Sequence, residues 1–139
     1  MTLSAQMTAL IRSEQERQGN RFIEGVEIEA YLRKLETSAE VVSASANDGR
    51  CRGLVAFYAN DTVTRRAYVT LVVVDPSDRG TGLGRELVES ALATMKERGL
   101  TSCRLEVARD NAAASSLYAS IGFKVIEERG RKDLMEIAL

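Results

Sequence analysis

Three glycines at alternate positions, Gly80, Gly82 and Gly84, stand between Arg79 and Arg85, with Thr81 and Leu83 in the gaps. Glycine lets a backbone come close to an anion, and guanidinium groups make charge-assisted bonds to phosphate. An apolar run, Leu71 to Val74, precedes the loop and is cut by Asp75-Pro76; an amphipathic helical pattern follows it. Strand, glycine loop and helix N-terminus together make an anion site. The first amides of a helix lack intrahelical partners, and they point outward with the positive end of the helix dipole. The predicted chemistry is therefore the holding of a pyrophosphate on a nucleotide-like molecule. Two common versions are excluded by spacing. GxxxxGK[ST] counted from Gly80 needs glycine and lysine where the chain has Arg85 and Glu86. GxGxxG counted from Gly80 needs glycine at Arg85, and it belongs after the first strand of its fold, not the third.

Other chemistry is narrowed by what the chain lacks. It has no histidine, which excludes an imidazole base and makes a zinc site improbable; no metal is expected. Its two cysteines, Cys51 and Cys103, have no ligand spacing and fall in or beside predicted strands. They read as buried small hydrophobes rather than nucleophiles or a disulfide. The net charge of -1 leaves no basic footprint for nucleic acid. No apolar run approaches the roughly 20 residues of a membrane span, and the first residues lack a signal-peptide pattern. The expectation is a cytoplasmic protein with no membrane contact.

The elements that must position the loop follow from periodicity. The 139 residues, 45% hydrophobic and 28% charged, suggest one domain over 1–139. Leu3, Met7, Leu10 and Ile11 mark one face of a first helix, predicted to run through the first eleven residues and end near Gly19-Asn20. Ile28, Tyr31, Leu32 and Leu35 mark a second, with Glu29 and Arg33 spaced for a surface pair. Strands are expected from Glu40, from Arg52 to Ala59 and from Arg66 to Val74, the third in the sheet interior. A long helix runs from the glycine loop to Gly99. Ser102 to Ala108 reads as a strand, Asn111 caps a short helix closed by Gly122, and two strands finish the chain around Gly130. The order ααβββαβαββ predicts an α+β (mixed α/β) fold. Its mixed, mostly antiparallel sheet has helices on both faces and parallel strands flanking the long helix.

At this point the chain resembles the GNAT-type N-acetyltransferases, through Val74, Pro76, Arg79, Gly82 and Gly84 in the loop. A second string carries the resemblance independently: Leu105-Glu106-Val107, Asn111, Ala114, Leu117-Tyr118 and Gly122-Phe123, about 30 residues further on. The likeness covers roughly Gly53 to Glu128 and is most similar to the ribosomal-protein alanine N-acetyltransferases. It implies a GNAT fold and acetyl-CoA as co-substrate. The backbone of Val72, Val73 and Val74 would pair with the pantetheine arm, and one of these amides would polarise the thioester carbonyl. Gly80 to Arg85, with Arg79, would wrap the pyrophosphate. Asn111, on the helix of Ala114, would bond the pantetheine. Tyr118 would protonate the leaving thiolate, and Glu106 would take a proton from the amine, directly or through water.

Each role has a plainer competitor. Asn111 is a good helix cap in any protein. Glu106 would have its pKa raised if buried, or would simply pair with Arg104 or Arg109. Arg79 and Arg85 could be solvated loop charges. The acceptor end is the least defined, with Phe22, Tyr31, Tyr58, Asn60, Asp61 and Tyr68 as candidate lining. Family members commonly open with a strand, whereas here the first residues read as helix. The expectation is direct attack of a primary amine on the thioester, the amine being a small molecule: an amino sugar, amino acid, polyamine or antibiotic. The alternatives are a protein N-terminus as acceptor, or a non-catalytic acyl-CoA-binding module. A homodimer is compatible with the sequence.

Overall fold

The computed structural model describes residues 3–139. Helices α1 (Ala5–Arg17) and α2 (Ile28–Ser38) precede strands β1 (Glu40–Ser45), β2 (Cys51–Tyr58) and β3 (Arg66–Val74). A 3₁₀ turn at Pro76–Asp78 leads to α3 (Leu83–Glu97), β4 (Ser102–Ala108) and α4 (Ala112–Ile121). Strands β5 (Lys124–Arg129) and β6 (Lys132–Ala138) end the chain. The six strands form one sheet in the order β1-β2-β3-β4-β6-β5. Only β3 and β4 are parallel, and α3 connects them; the other four pairings are antiparallel. Both the element order and the mixed sheet predicted from the sequence are found.

Among the described residues no strand precedes α1. Ser4 caps the helix by accepting from the Met7 amide at 3.1 Å. The part of the predicted first helix that fell on Met1 and Thr2 lies outside the described residues. One predicted pair is corrected: Glu29 meets Arg12 of α1 at 2.6 Å rather than Arg33. The contact ties the two helices together across their exposed edges.

Two cores flank the sheet. On one face α1 and α2 bury Leu10, Ile11, Leu32 and Leu35 against Leu54, Ala56, Leu71 and Val73. On the other, α3 and α4 bury Leu87, Val88, Ala91, Met95 and Tyr118 against Val55, Val69, Leu105 and Val107. Cys51 and Cys103 are free and buried, one in each core.

A single irregularity in β3 decides which of its residues face which core. Ala56 pairs with Leu71 but Phe57 pairs with Val69, so Thr70 is an extra residue. Without this bulge, Ala67, Val69, Leu71 and Val73 would share a face, because side chains alternate along a strand. With it, Ala67 and Val69 pack toward α3, while Leu71 and Val73 pack toward α1 and α2. The parallel pairing of β3 with β4 covers only Arg66↔Ser102 to Tyr68↔Arg104. Two residues later comes the bulge, which bends a strand and ends regular pairing. Beyond it β3 and β4 diverge, and the sheet opens into a fork.

Candidate active site

The fork is the floor of a cleft of about 840 Å³. Its walls are Val69 to Val74 of β3, Leu105 to Ala108 of β4, the glycine loop, and Asn111, Ala114, Leu117 and Tyr118 around α4. Glu14, Phe22, Tyr31 and Tyr68 also line it. Of the residues predicted for catalysis or cofactor binding, only Thr81 does not line this cleft.

The edge of β3 inside the fork has a readable polarity. Thr70 O accepts from the Tyr31 hydroxyl at 3.2 Å, and Val74 O accepts from Arg79 Nε at 3.2 Å. Asp75 N donates the other way, to Arg52 O at 2.8 Å. Backbone groups of alternate residues point to the same side of a strand. Thr70, Val72 and Val74 therefore face the open edge, and Val73 faces β2. With the flanking carbonyls taken by side chains, Val72 offers both its N–H and its C=O to an extended ligand.

The glycine loop is held by bonds within the chain. Asp75 caps the 3₁₀ turn by accepting from Ser77 N at 3.0 Å. Asp78 is nearly buried and accepts from Arg50 at 2.9 Å and Arg52 at 2.8 Å, which hold its carboxyl below the usual range. Thr81 Oγ1 donates to Asp78 O at 2.6 Å, so this residue braces the loop from behind. Gly80 and Gly82 have φ of 78° and 86°, which turn the chain into α3. Gly82 is the N-cap of α3 and has no side chain to cap it. The first-turn amides of Leu83, Gly84 and Arg85 thus remain for an anion at the positive end of the helix. Together with the free edge at Val72, this cradle fits the pyrophosphate and pantetheine arm of coenzyme A.

The two arginines are placed differently from the expectation. Arg79 Nη2 binds Glu14 Oε1 at 2.8 Å, so its guanidinium bridges Val74 and α1. Arg85 contacts Ser120 Oγ and lies 3.5 Å from Glu89. Glu14 is 5% exposed. Burial opposes its charge, but Gln18, Arg17 and Arg79 outweigh burial and lower its pKa. Sequence reasoning missed Glu14. The available signal was a carboxylate on the stripe of α1 that carries Leu10 and Ile11.

Helix α4 explains why the second string has its spacing. Asn111 caps it by accepting from Ala114 N at 3.1 Å, leaving its amide NH₂ in the cleft. Gly122, at φ 128°, ends it, and Phe123 N bonds back to Tyr118 O at 3.0 Å. That six-to-one bond is the Schellman closure, which brings the residue after the cap against the last turn. Phe123 meets the Tyr118 ring edge-on, with centroids 5.9 Å apart. Tyr118 is thereby fixed. Among the described residues its hydroxyl has no hydrogen-bond partner, and burial pushes its pKa up to about 12.

Glu106 is corrected in two respects. It is exposed, not buried, because β4 turns it to the sheet face that α1 and α2 leave uncovered. Its neighbours are Tyr68 Oη at 3.5 Å and Arg129 at 3.6 Å. Arg104 and Arg109 pair instead with Glu136 at 2.7 Å and Asp133 at 2.8 Å. Of the acceptor-side candidates, Phe22, Tyr31 and Tyr68 line the cleft, and Tyr58, Asn60 and Asp61 do not. Tyr58 lies beneath Lys34 at 5.4 Å, and Asp61 caps the β2–β3 turn.

A forked sheet with an anion-binding helix end at the fork and an unpaired tyrosine hydroxyl opening into the cleft beside it defines a class of acyl-CoA-dependent transferases. The chain belongs to the acetyltransferase (GNAT) family, which it matches over residues 7–123. It is 35% identical over 94 residues to the [ribosomal protein bS18]-alanine N-acetyltransferase of Escherichia coli K12, covering 62% of this chain and 64% of that one. It is 51% identical over 55 residues to a mycothiol acetyltransferase of Thermobispora bispora, covering 40% of this chain and 19% of that protein. The matches thus span less than two thirds of either relative. The fold is shared with the PaiA N-acetyltransferase of Thermoplasma acidophilum, solved in complex with coenzyme A. That likeness has a TM-score of 0.74 at 22% identity and covers 96% of this chain and 91% of that one. Among the described residues no helix is long and apolar enough to cross a membrane.

Proposed function

We propose that this chain transfers an acetyl group from acetyl-CoA to a primary amine. The observation that carries the reading is the fork itself. The free edge at Val72 runs straight into the unpaired amides of α3, with the Tyr118 hydroxyl in the same cleft. When bound, acetyl-CoA supplies the activated thioester. The amine nitrogen bonds to the acetyl carbon, the carbon–sulfur bond breaks, and the electron pair leaves on sulfur. Amides of the β3 edge donate to the oxygen on which charge develops. Glu106 takes the amine proton directly or through a water. An alkylammonium has a pKa of roughly 10.4, so a base is needed at neutral pH.

Tyr118 serves the leaving sulfur. A phenol held near 12 lies above the roughly 8.5 of an alkyl thiol, so complete proton transfer runs uphill. The hydroxyl therefore acts as a hydrogen-bond donor to the departing thiolate, which takes its proton from solvent after release. Asn111 and Val72 hold the arm, and the loop from Gly80 to Arg85 holds the pyrophosphate. Neither cysteine lies in the cleft, so no acyl-enzyme enters.

For the acceptor, a small amine fits the end walled by Phe22, Tyr31 and Tyr68. A peptide N-terminus is the second reading, favoured by the 35% identity to the E. coli ribosomal-protein enzyme. The test is a thermal shift with CoA, followed by thiol release from acetyl-CoA. The amine panel holds polyamines, amino sugars, amino acids and a peptide with N-terminal alanine. Stabilisation by CoA with release on a small amine is the expected result. Release on the peptide alone reassigns the acceptor. Stabilisation with no release on any amine makes the chain a binding module, and absence of stabilisation overturns the reading.

A further inference from the structure

We propose that Tyr31 is a positioning residue for acetyl transfer: its hydroxyl latches the bulge in β3 so that the amides at the fork face the thioester. The inference rests on the transferase reading above. Tyr31 comes from α2, on the acceptor side, and reaches 39 positions along the chain to Thr70. It donates to Thr70 O at 3.2 Å, and its oxygen lies 2.8 Å from Thr70 Oγ1, which can donate in return. Between Tyr68 and Val74, Thr70 is the one residue of β3 that has no partner in β2. It also lies past the last pairing with β4, which ends at Tyr68. A residue outside both ladders has no strand neighbour to orient its peptide plane. Tyr31 supplies that constraint from a third element.

The consequence follows from peptide planarity. Fixing the Thr70 carbonyl fixes the Thr70–Leu71 peptide, because its N–H points opposite to its C=O. That peptide joins Thr70 to Val72 through Leu71, and Thr70 and Val72 carry the two amides facing the open edge nearest the fork. A donor improves the rate only if it is aimed before charge develops on the thioester oxygen. The latch acts on the orientation of these amides and leaves the anion loop that holds the pyrophosphate untouched. Its loss should therefore appear in kcat and not in the KM for acetyl-CoA. The tyrosine keeps its proton across the working pH range, since burial pushes its pKa up to about 12.

The test is Tyr31→Phe, which keeps the ring, beside Thr70→Ala, which keeps the main-chain carbonyl. For Tyr31→Phe, kcat should fall by about tenfold with the KM for acetyl-CoA within about twofold. Thr70→Ala should lose less, and the double variant should be no slower than Tyr31→Phe alone. Tyr58→Phe, outside the cleft, should match wild type. A kcat for Tyr31→Phe within twofold of wild type, or a loss confined to KM, overturns the proposal alone. Amide hydrogen exchange needs no turnover. The Thr70 and Leu71 amides should exchange about tenfold faster in Tyr31→Phe while Val55 and Val88 keep their rates. Unchanged exchange overturns the latch, whereas a wild-type chain that acetylates no amine overturns the transferase reading.

Discussion

The Tyr118 hydroxyl is held in the cleft by its ring and, among the described residues, not by a bond of its own. The Gly122 cap and the Phe123 edge contact fix the ring, yet no described residue takes the hydroxyl's proton. Removing it should cost the fold little, since no internal bond is lost. Tyr118→Phe is expected to melt within a few degrees of wild type and to lower kcat roughly 10²-fold, the effect of one aimed donor. A loss near zero in a stopped thiol-release assay would remove Tyr118 from the chemistry. The pH profile carries the same assignment. The folded pKa is raised, so the donor form persists through pH 10 and fails only as pH approaches 12. The wild-type rate should show no alkaline decline below about pH 10 from this group. In the proposed reaction Glu106 serves the amine side. Glu106→Gln keeps the contacts to Tyr68 and Arg129 near isosteric but removes the base. It should lower kcat and leave the KM for acetyl-CoA unchanged; a rise in that KM alone would mark Glu106 as a structural carboxylate.

At the scale of elements, the glycine loop separates two kinds of glycine. Gly82 has φ +86° and open space where a Cβ would stand, so an alanine there is strained by backbone alone. Gly82→Ala should lose about 1 kcal/mol of stability and raise the KM for acetyl-CoA by turning the α3 amides away. Gly84 is helical, and an added Cβ would sit 3.6 Å from both Leu117 and Val74, an ordinary contact. Gly84→Ala should therefore keep or raise the melting temperature. It should still raise the KM, because the methyl covers the first turn where the pyrophosphate would lie. Thermal melts beside the two KM values decide this, and unaltered acetyl-CoA binding in Gly84→Ala would exclude that path for the anion. The sequence announced this loop clearly, since alternate glycines before a helical stripe have few other uses. It did not announce the bulge. Val69-Thr70-Leu71-Val72-Val73-Val74 is apolar or β-branched on both faces, so a one-residue slip leaves no mark in the pattern. Tyr31 likewise read only as one of several aromatic candidates, because its partner lies in another element.

For the molecule as a whole, the fold was legible because each element carried its own period and cap. The split of the sheet was not, because it depends on β3 and β4 ceasing to pair after three residues. The exposure of Glu106 was open in the sequence for the same reason: a carboxylate between Leu105 and Val107 can be buried or paired, and the uncovered half of the sheet decides between them. Burial also gives the molecule a collective alkaline limit. Cys103 lies wholly inside the α3-side core, and burial pushes its thiol from 9.0 up to about 12. Burial raises Tyr31, Tyr68 and Tyr118 from 10.0 to about 12 in the same way. In each case the unfolded chain releases its proton before the folded chain does. Stability is therefore complete below pH 9 and is lost as pH rises toward 12, by about 1.4 kcal/mol per pH unit for each group in its window. Cys51 is shifted in the same direction, so the two thiols dominate between pH 9 and 10, and the tyrosines join above. Cys103→Ala should cost about 1 kcal/mol at pH 8 through the small cavity it leaves. Between pH 9 and 10 it should lose stability more slowly than wild type, because one of the two titrating thiols is gone. Urea midpoints at pH 8, 9 and 10 under reducing conditions measure both effects. Parallel lines for the two proteins would mean that Cys103 ionises as freely in the folded chain as in the unfolded one, which its complete enclosure by the core forbids.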